Sequence, residues 1–291
     1  MSVFRLLIQG IKTTNSKGRI VLYLWITNFV FSLVIVAPFY FLLSKEFSRS
    51  LIGNKLGAGF DLLWLGDLFY KFNNIPPALI GWFLVPGILF LLLYMFLNGG
   101  IIGRIVAQRE SVNFSNFFGD CGKYFLCFFR IFLISLIGYA LVFGVIYRYI
   151  SELFELWTDN ASTEWPLIIS SNIKFLILIL LFSIIRMFFD YARVSVVVED
   201  SRRAIRATIL SLSFVGKRFF KAWFLYLLVG IISLIFFAVC LRISRILPSS
   251  GLLIIVVFLW HQIYILSRMW TKMLFFSSEY HFFYQEKISL Y

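Results

Sequence analysis

Apolar residues in this chain gather in six long runs, at about 20–43, 78–97, 124–147, 172–189, 222–241 and 251–270. Each run is apolar on every side, and each approaches or exceeds the roughly 20 helical residues that cross a hydrocarbon layer of about 30 Å. None shows the period-two alternation of a membrane β-barrel strand. The pattern predicts an all-α fold: a single integral membrane domain over 1–291, a polytopic helical bundle of about six transmembrane helices. The first run is longer than a signal-peptide core and lacks a small-x-small motif behind it, so it is expected to stay as a span.

Between the runs the pattern becomes amphipathic. Over 2–12, Val3, Phe4, Leu7, Ile8 and Ile11 share one helical face and Arg5, Gln9 and Lys12 the other, which predicts a helix lying in the headgroup layer. A surface helix is expected at 60–72, within the long segment 44–77. From 115 to 147 a continuous helix would be about 50 Å long, too long merely to span. A further amphipathic helix follows Ser201, a candidate cap, with Ile205, Ile209, Leu212 and Phe219 set against Arg202, Arg206, Lys217 and Lys221. The segments 99–130 and 190–221 share one order: Arg, an acid followed by Ser, an amphipathic stretch, a basic–aromatic cluster, then a span. That order suggests a weak repeat of helical hairpins.

Charge fixes the expected orientation. With the N-terminus inside, seventeen Lys and Arg fall on the cytoplasmic side and seven outside, as the positive-inside rule requires. Both termini are then cytoplasmic, as are the amphipathic helices around 2–12 and 202–221. The acidic segment 151–166 falls outside. Composition agrees: 61% of residues are hydrophobic and only 14% charged, against about a quarter charged in soluble domains. The net charge of +13 reads as orientation and attraction to anionic lipid, because no soluble basic domain is present to bind nucleic acid.

The stretch 188–224, FFDYARVSVVVEDSRRAIRATILSLSFVGKRFFKAWF, resembles a broad group of bacterial six-span membrane proteins. That group includes the membrane domain of glycerophosphoryl diester phosphodiesterases. The shared features are a strand-like exit at Val196, Val197, Val198, Glu199 and Asp200, Ala204 on the next helix, Ser211 or Ser213, and Lys217, Arg218 and Trp223 leading into a span. The resemblance implies a multi-pass protein of the bacterial cytoplasmic (inner) membrane. It lends no activity, since the phosphodiesterase chemistry of that group belongs to a separate soluble metal-dependent domain that these residues do not include.

Ionisable groups within spans are costly and so mark candidate sites. Arg186, Asp190 and Arg193 stand at helical spacing on one face, and Arg130 lies at a similar depth in the third run, within expected reach of Asp190. These four read as a structural ion cluster or as an anion or headgroup site. His261 and Gln262, inside the sixth run, read as an interhelical polar contact or, less simply, a proton relay. Gly99 and Gly103 form a GxxxG suited to close helix packing.

No HExxH, CxxC, acidic cluster or phosphate-binding glycine loop is present, so no metal, cofactor or catalytic residue is expected. Expected partners are membrane lipids and other integral membrane subunits. The bare apolar pattern favours a non-catalytic accessory or scaffold subunit of a membrane assembly. A transporter or lipid-handling permease using the basic cluster is the alternative, and a membrane enzyme joining His261 to an acid comes third. A lipid-sized cavity beside the basic cluster separates the permease from the scaffold, which calls for a sealed bundle.

Overall fold

The computed structural model describes residues 2–47, 77–107, 112–159, 163–247 and 253–288. The elements are α1 (Val3–Ser16), α2 (Gly18–Phe47), α3 (Pro77–Val106), α4 (Phe114–Leu141), a π-helical turn (Val142–Ile146), α5 (Tyr147–Thr158), α6 (Trp165–Val198), α7 (Ala204–Lys217), α8 (Phe219–Ile246) and α9 (Leu253–Ile288). Among the described residues six helical stretches are long and apolar enough to cross a membrane: Gly18–Ala37, Leu84–Val106, Phe114–Thr158, Trp165–Val198, Phe219–Ile246 and Leu253–Lys287. The chain is a multi-pass helical membrane protein. The surface helix expected at 60–72 and the Arg109–Glu110–Ser111 motif lie outside the described residues.

Side chains such as Ile137, Leu176, Leu234 and Ile255 are exposed, as lipid-facing positions are. Several hydroxyl side chains within the spans bond to their own preceding turn, a local solution that needs no water. Thr27 donates to the Tyr23 carbonyl at 2.8 Å, Ser135 to Phe132 at 2.7 Å and Ser183 to Leu180 at 2.8 Å.

The helices outrun their apolar windows. α9 holds 36 residues, about 54 Å of helix, so it extends well beyond the run that ends at 270. The 115–147 helix forms as expected and continues through the π-helical turn to Thr158, which makes the first half of the acidic segment 151–166 helical. The five-residue turn places one extra residue where α4 hands over to α5, with backbone hydrogen bonding maintained.

Two compact units are formed. Met1–Ser16, Asn98–Val229 and Leu274–Tyr291 make one; Lys17–Leu97 and Gly230–Met273 make the other. In the second, Trp25 donates to Gln262 at 3.0 Å, Trp260 donates to the Cys240 carbonyl at 3.3 Å, and the Lys272 ammonium sits 3.4 Å from the Tyr94 ring centroid.

In the first unit α4, α6 and α7 pack on one another and α5 packs on α6. The glycines of α3 permit a close approach to α4. A Cβ on Gly99 would stand 3.0 Å from the Asp120 carbonyl, and one on Gly100 2.7 Å from the Phe117 ring. Arg104, only 7% exposed, pairs with Asp120 at 2.6 Å and fixes the two helices in register. α1 packs through Leu6, Gly10 and Thr14, with Thr14 bonded to Ser277 at 3.3 Å and Thr13 to His281 at 2.7 Å. Its apolar residues Phe4 and Ile8 stay exposed, available to lipid as the amphipathic pattern implies.

Two local expectations are corrected around 196–204. Val196–Val198 are the last turn of α6, not a strand-like exit. Ser201 does not cap α7; it closes α6 instead. Its amide bonds the Val196 carbonyl at 3.1 Å and the Asp200 amide bonds Val197 at 3.3 Å, with Asp200 in the left-handed conformation at φ 46°. This is a Schellman closure, in which Asp takes the position more often held by Gly. The two segments of the expected hairpin repeat differ in their elements. The second segment breaks at Arg218 between α7 and α8, whereas the first runs unbroken through α4.

Candidate functional site

Every sequence-predicted charge of the basic cluster lies in the first unit, but they divide into two places. Asp190, 3% exposed, takes both Arg186 and Arg193 from its own helix. The Arg186 Nε lies 3.7 Å from Oδ2, and the Arg193 Nη1 bonds Oδ1. Arg130 makes no ion pair with Asp190; it is exposed on α4 and lines a cavity elsewhere in the unit. The i, i+4 and i+3 spacings explain why the ladder closes within one helix and needs no partner from α4.

Beside that ladder lies a group the sequence reading missed. Glu279 is 2% exposed, and neither carboxylate oxygen has a hydrogen-bond partner among the described residues. The neighbouring Ser278 hydroxyl and the Tyr191 hydroxyl of α6 are likewise buried and unsatisfied. Its electrostatic neighbours are Asp190, Arg186 and Arg193. The sequence signal was available: Ser277–Ser278–Glu279 interrupts an apolar, aromatic run from Met273 to Phe283. Ending the sixth span at 270 hid it. Nearer the helix terminus, Glu286 is satisfied, taking Arg218 at 2.7 Å and Lys221 at 2.9 Å.

His261 is exposed and its Nδ1 contacts only its own helix, the Val257 carbonyl, at 2.7 Å. No acid is joined to it among the described residues. Gln262, one position on, points to Trp25 as an interhelical contact. The two residues therefore separate, because adjacent positions on a helix differ by about 100°.

An open cavity lies in the first unit. Its volume is about 800 Å³, and it is lined by Arg130, Leu133 and Ile134 from α4 and by Arg202, Arg203 and residues 204–206, 209 and 210 at the start of α7. Four arginines and no acid thus border one space whose remaining lining is aliphatic. None of the four forms an ion pair among the described residues, whereas Arg104, Arg186, Arg193 and Arg218 each reach a carboxylate.

The helix terminus adds to this charge. α7 has no acid in its first turn, and its N-cap, Arg203, makes no side-chain capping bond. The first amides of a helix lack internal acceptors and carry the positive end of its dipole. Arginines placed there are repelled, each by about 0.3–1 kcal/mol, where an acid or a bound anion would be attracted. The cavity, the arginines and the uncapped terminus together form a site for an anion attached to an apolar body.

The α6–α7 turn that presents Arg202 and Arg203 is held by Asp200. Its Oδ1 accepts from Tyr124 Oη at 3.0 Å and faces Lys123 Nζ at 2.7 Å. Hydrogen bonds from Lys123 and then Tyr124 hold the Asp200 carboxyl below its ordinary range, even though the side chain is well exposed. The left-handed backbone and the two bonds to α4 thus fix one end of the turn whose other end carries the arginines. Comparison with known proteins adds no further constraint: no family model, curated protein or solved structure matches the chain.

Proposed function

We propose that this chain is a lipid-handling membrane protein that holds an anionic lipid by its headgroup at the arginine-lined cavity. The observation that carries the reading is the meeting of four arginines that form no ion pair among the described residues, an uncapped helix N-terminus and an aliphatic wall around about 800 Å³. Guanidinium groups bind phosphate through paired hydrogen bonds, and an aliphatic wall takes an acyl chain that water would reject. The excess of Lys and Arg on one side of the predicted topology supports placing the cavity at the cytoplasmic face, where anionic lipid is concentrated. In the bacterial setting that the 188–224 resemblance implies, this is the inner membrane.

An accessory or scaffold role calls for a bundle sealed at this point. The cavity beside Arg130 favours lipid handling over it, and among the described residues His261 meets no acid that would support the enzyme reading. Phe220, 81% exposed, and Ile205, 69% exposed, provide apolar surface for the surrounding bilayer next to the basic residues.

The test is native mass spectrometry of the full chain released from membranes in mild detergent. The expected result is retained anionic phospholipid on the wild type and its loss from the Arg203→Ala/Arg206→Ala double variant. Equal retention on both proteins, or none on the wild type, overturns the reading.

A further inference from the structure

The charge around the cavity exceeds what an ordinary anionic phospholipid brings. A phosphodiester lipid carries one negative charge on two free oxygens. That single charge would face four guanidinium groups and the α7 dipole, and among the described residues only Arg202 of the four also feels a carboxylate, that of Asp200. A terminal phosphomonoester carries about −1.5 to −2 charges on three acceptor oxygens, enough to engage two guanidinium forks and still accept from the first amides of α7.

The rest of the first unit gives a measure of this protein's own charge balance. Asp190 serves two arginines, Glu286 serves Arg218 and Lys221, and Asp120 serves Arg104. No carboxylate in the unit is shared by more than two basic groups in these pairs, so a single charge facing four would depart from the pattern. A headgroup with two charges keeps four cations within the limit of two per negative charge reached at Asp190 and Glu286.

Resting on the lipid-binding reading above, we infer that the cavity selects lipids whose headgroup ends in an unesterified phosphate over lipids whose phosphate is a diester. The phosphate sits among Arg130, Arg202, Arg203 and Arg206, and the acyl portion lies along Leu133 and Ile209. Ordinary diester lipids still meet the exposed basic residues, but only as any basic surface attracts them.

The test uses the purified full chain and two short-chain probes with identical acyl groups: dioctanoyl phosphatidic acid and its methyl ester, dioctanoyl phosphatidylmethanol. Because their apolar parts match, any difference in Kd reports the headgroup. The expected result is binding of the phosphatidic acid about tenfold or more tightly, since a lost charge-assisted interaction costs at least that factor. In Arg203→Ala the ratio falls toward one, while Lys217→Ala, at the far end of α7, keeps it. Equal Kd values for the two probes overturn the selectivity and leave lipid binding standing. Failure of both probes overturns the lipid reading as well. Inorganic phosphate competing as well as the phosphatidic acid shows that the aliphatic wall is unused, and also overturns the inference.

Discussion

Replacing Glu279 with Gln tests the electrostatics of the first unit at its most costly point. The carboxyl is 2% exposed and, among the described residues, both its oxygens lack hydrogen-bond partners. Both are shut off from the surface. A carboxylate so enclosed carries a desolvation penalty of several kcal/mol, relieved only partly by Arg186 and Arg193, which are already engaged with Asp190. Glutamine has the same shape and no charge, although its amide adds a buried donor worth about 1–2 kcal/mol of cost. Glu279→Gln is therefore expected to stabilise the protein by about 1–2 kcal/mol. The assay is unfolding of both proteins at neutral pH in the same detergent, by heat and by SDS in mixed micelles. A variant less stable than wild type by more than about 1 kcal/mol would refute the reasoning, because Glu279 would then be a needed counter-charge for the arginine pair.

Three other perturbations probe separate links. Asp120→Ala removes the carboxylate facing the 7%-exposed Arg104 and should destabilise by about 3 kcal/mol in the same unfolding assay; a change under about 1 kcal/mol would show that the pair does not hold α3 to α4. Gly10→Leu forces a branched side chain into the Ser278 backbone, 3.2 Å from the position of its Cβ, so protease cleavage within α1 should rise. Unchanged protection would mean that α1 is not packed through this face. The Asp200 latch should depend on pH. Its folded pKa lies below the ordinary value, so its contribution is complete above about pH 4 and is lost as pH falls through the folded pKa. Because the side chain is exposed the effect is at most about 1 kcal/mol. It should show as a wild-type stability advantage over Asp200→Asn at neutral pH that disappears in acid, and a constant difference would contradict it.

The architecture was legible because long apolar runs have few solutions in lipid: six runs gave six spanning helices. The Gly99–Gly103 contact was legible for a similar reason, since small residues at that spacing serve close packing. Boundaries were less so. Hydropathy marks where a helix leaves lipid, not where it ends, and α9 continues past residue 270 as a protein-packed helix carrying Glu279 and Glu286. Arg130, Arg186, Asp190 and Arg193 were found as residues, but their grouping was not. The intrahelical ladder follows from spacing, whereas the meeting of Arg130 with Arg202, Arg203 and Arg206 depends on how α7 folds back across α4. That path is set by the left-handed Asp200 and its bonds to Lys123 and Tyr124, contacts that span more than 70 positions and leave no periodic trace.

The most direct measurement is an experimental structure of the full chain in nanodiscs formed from native membrane lipid. It should show a lipid with its phosphate between Arg130, Arg202, Arg203 and Arg206 and its acyl chain against Leu133 and Ile209. A cavity filled by the protein's own side chains, or occupied by water alone, would contradict a lipid-binding role.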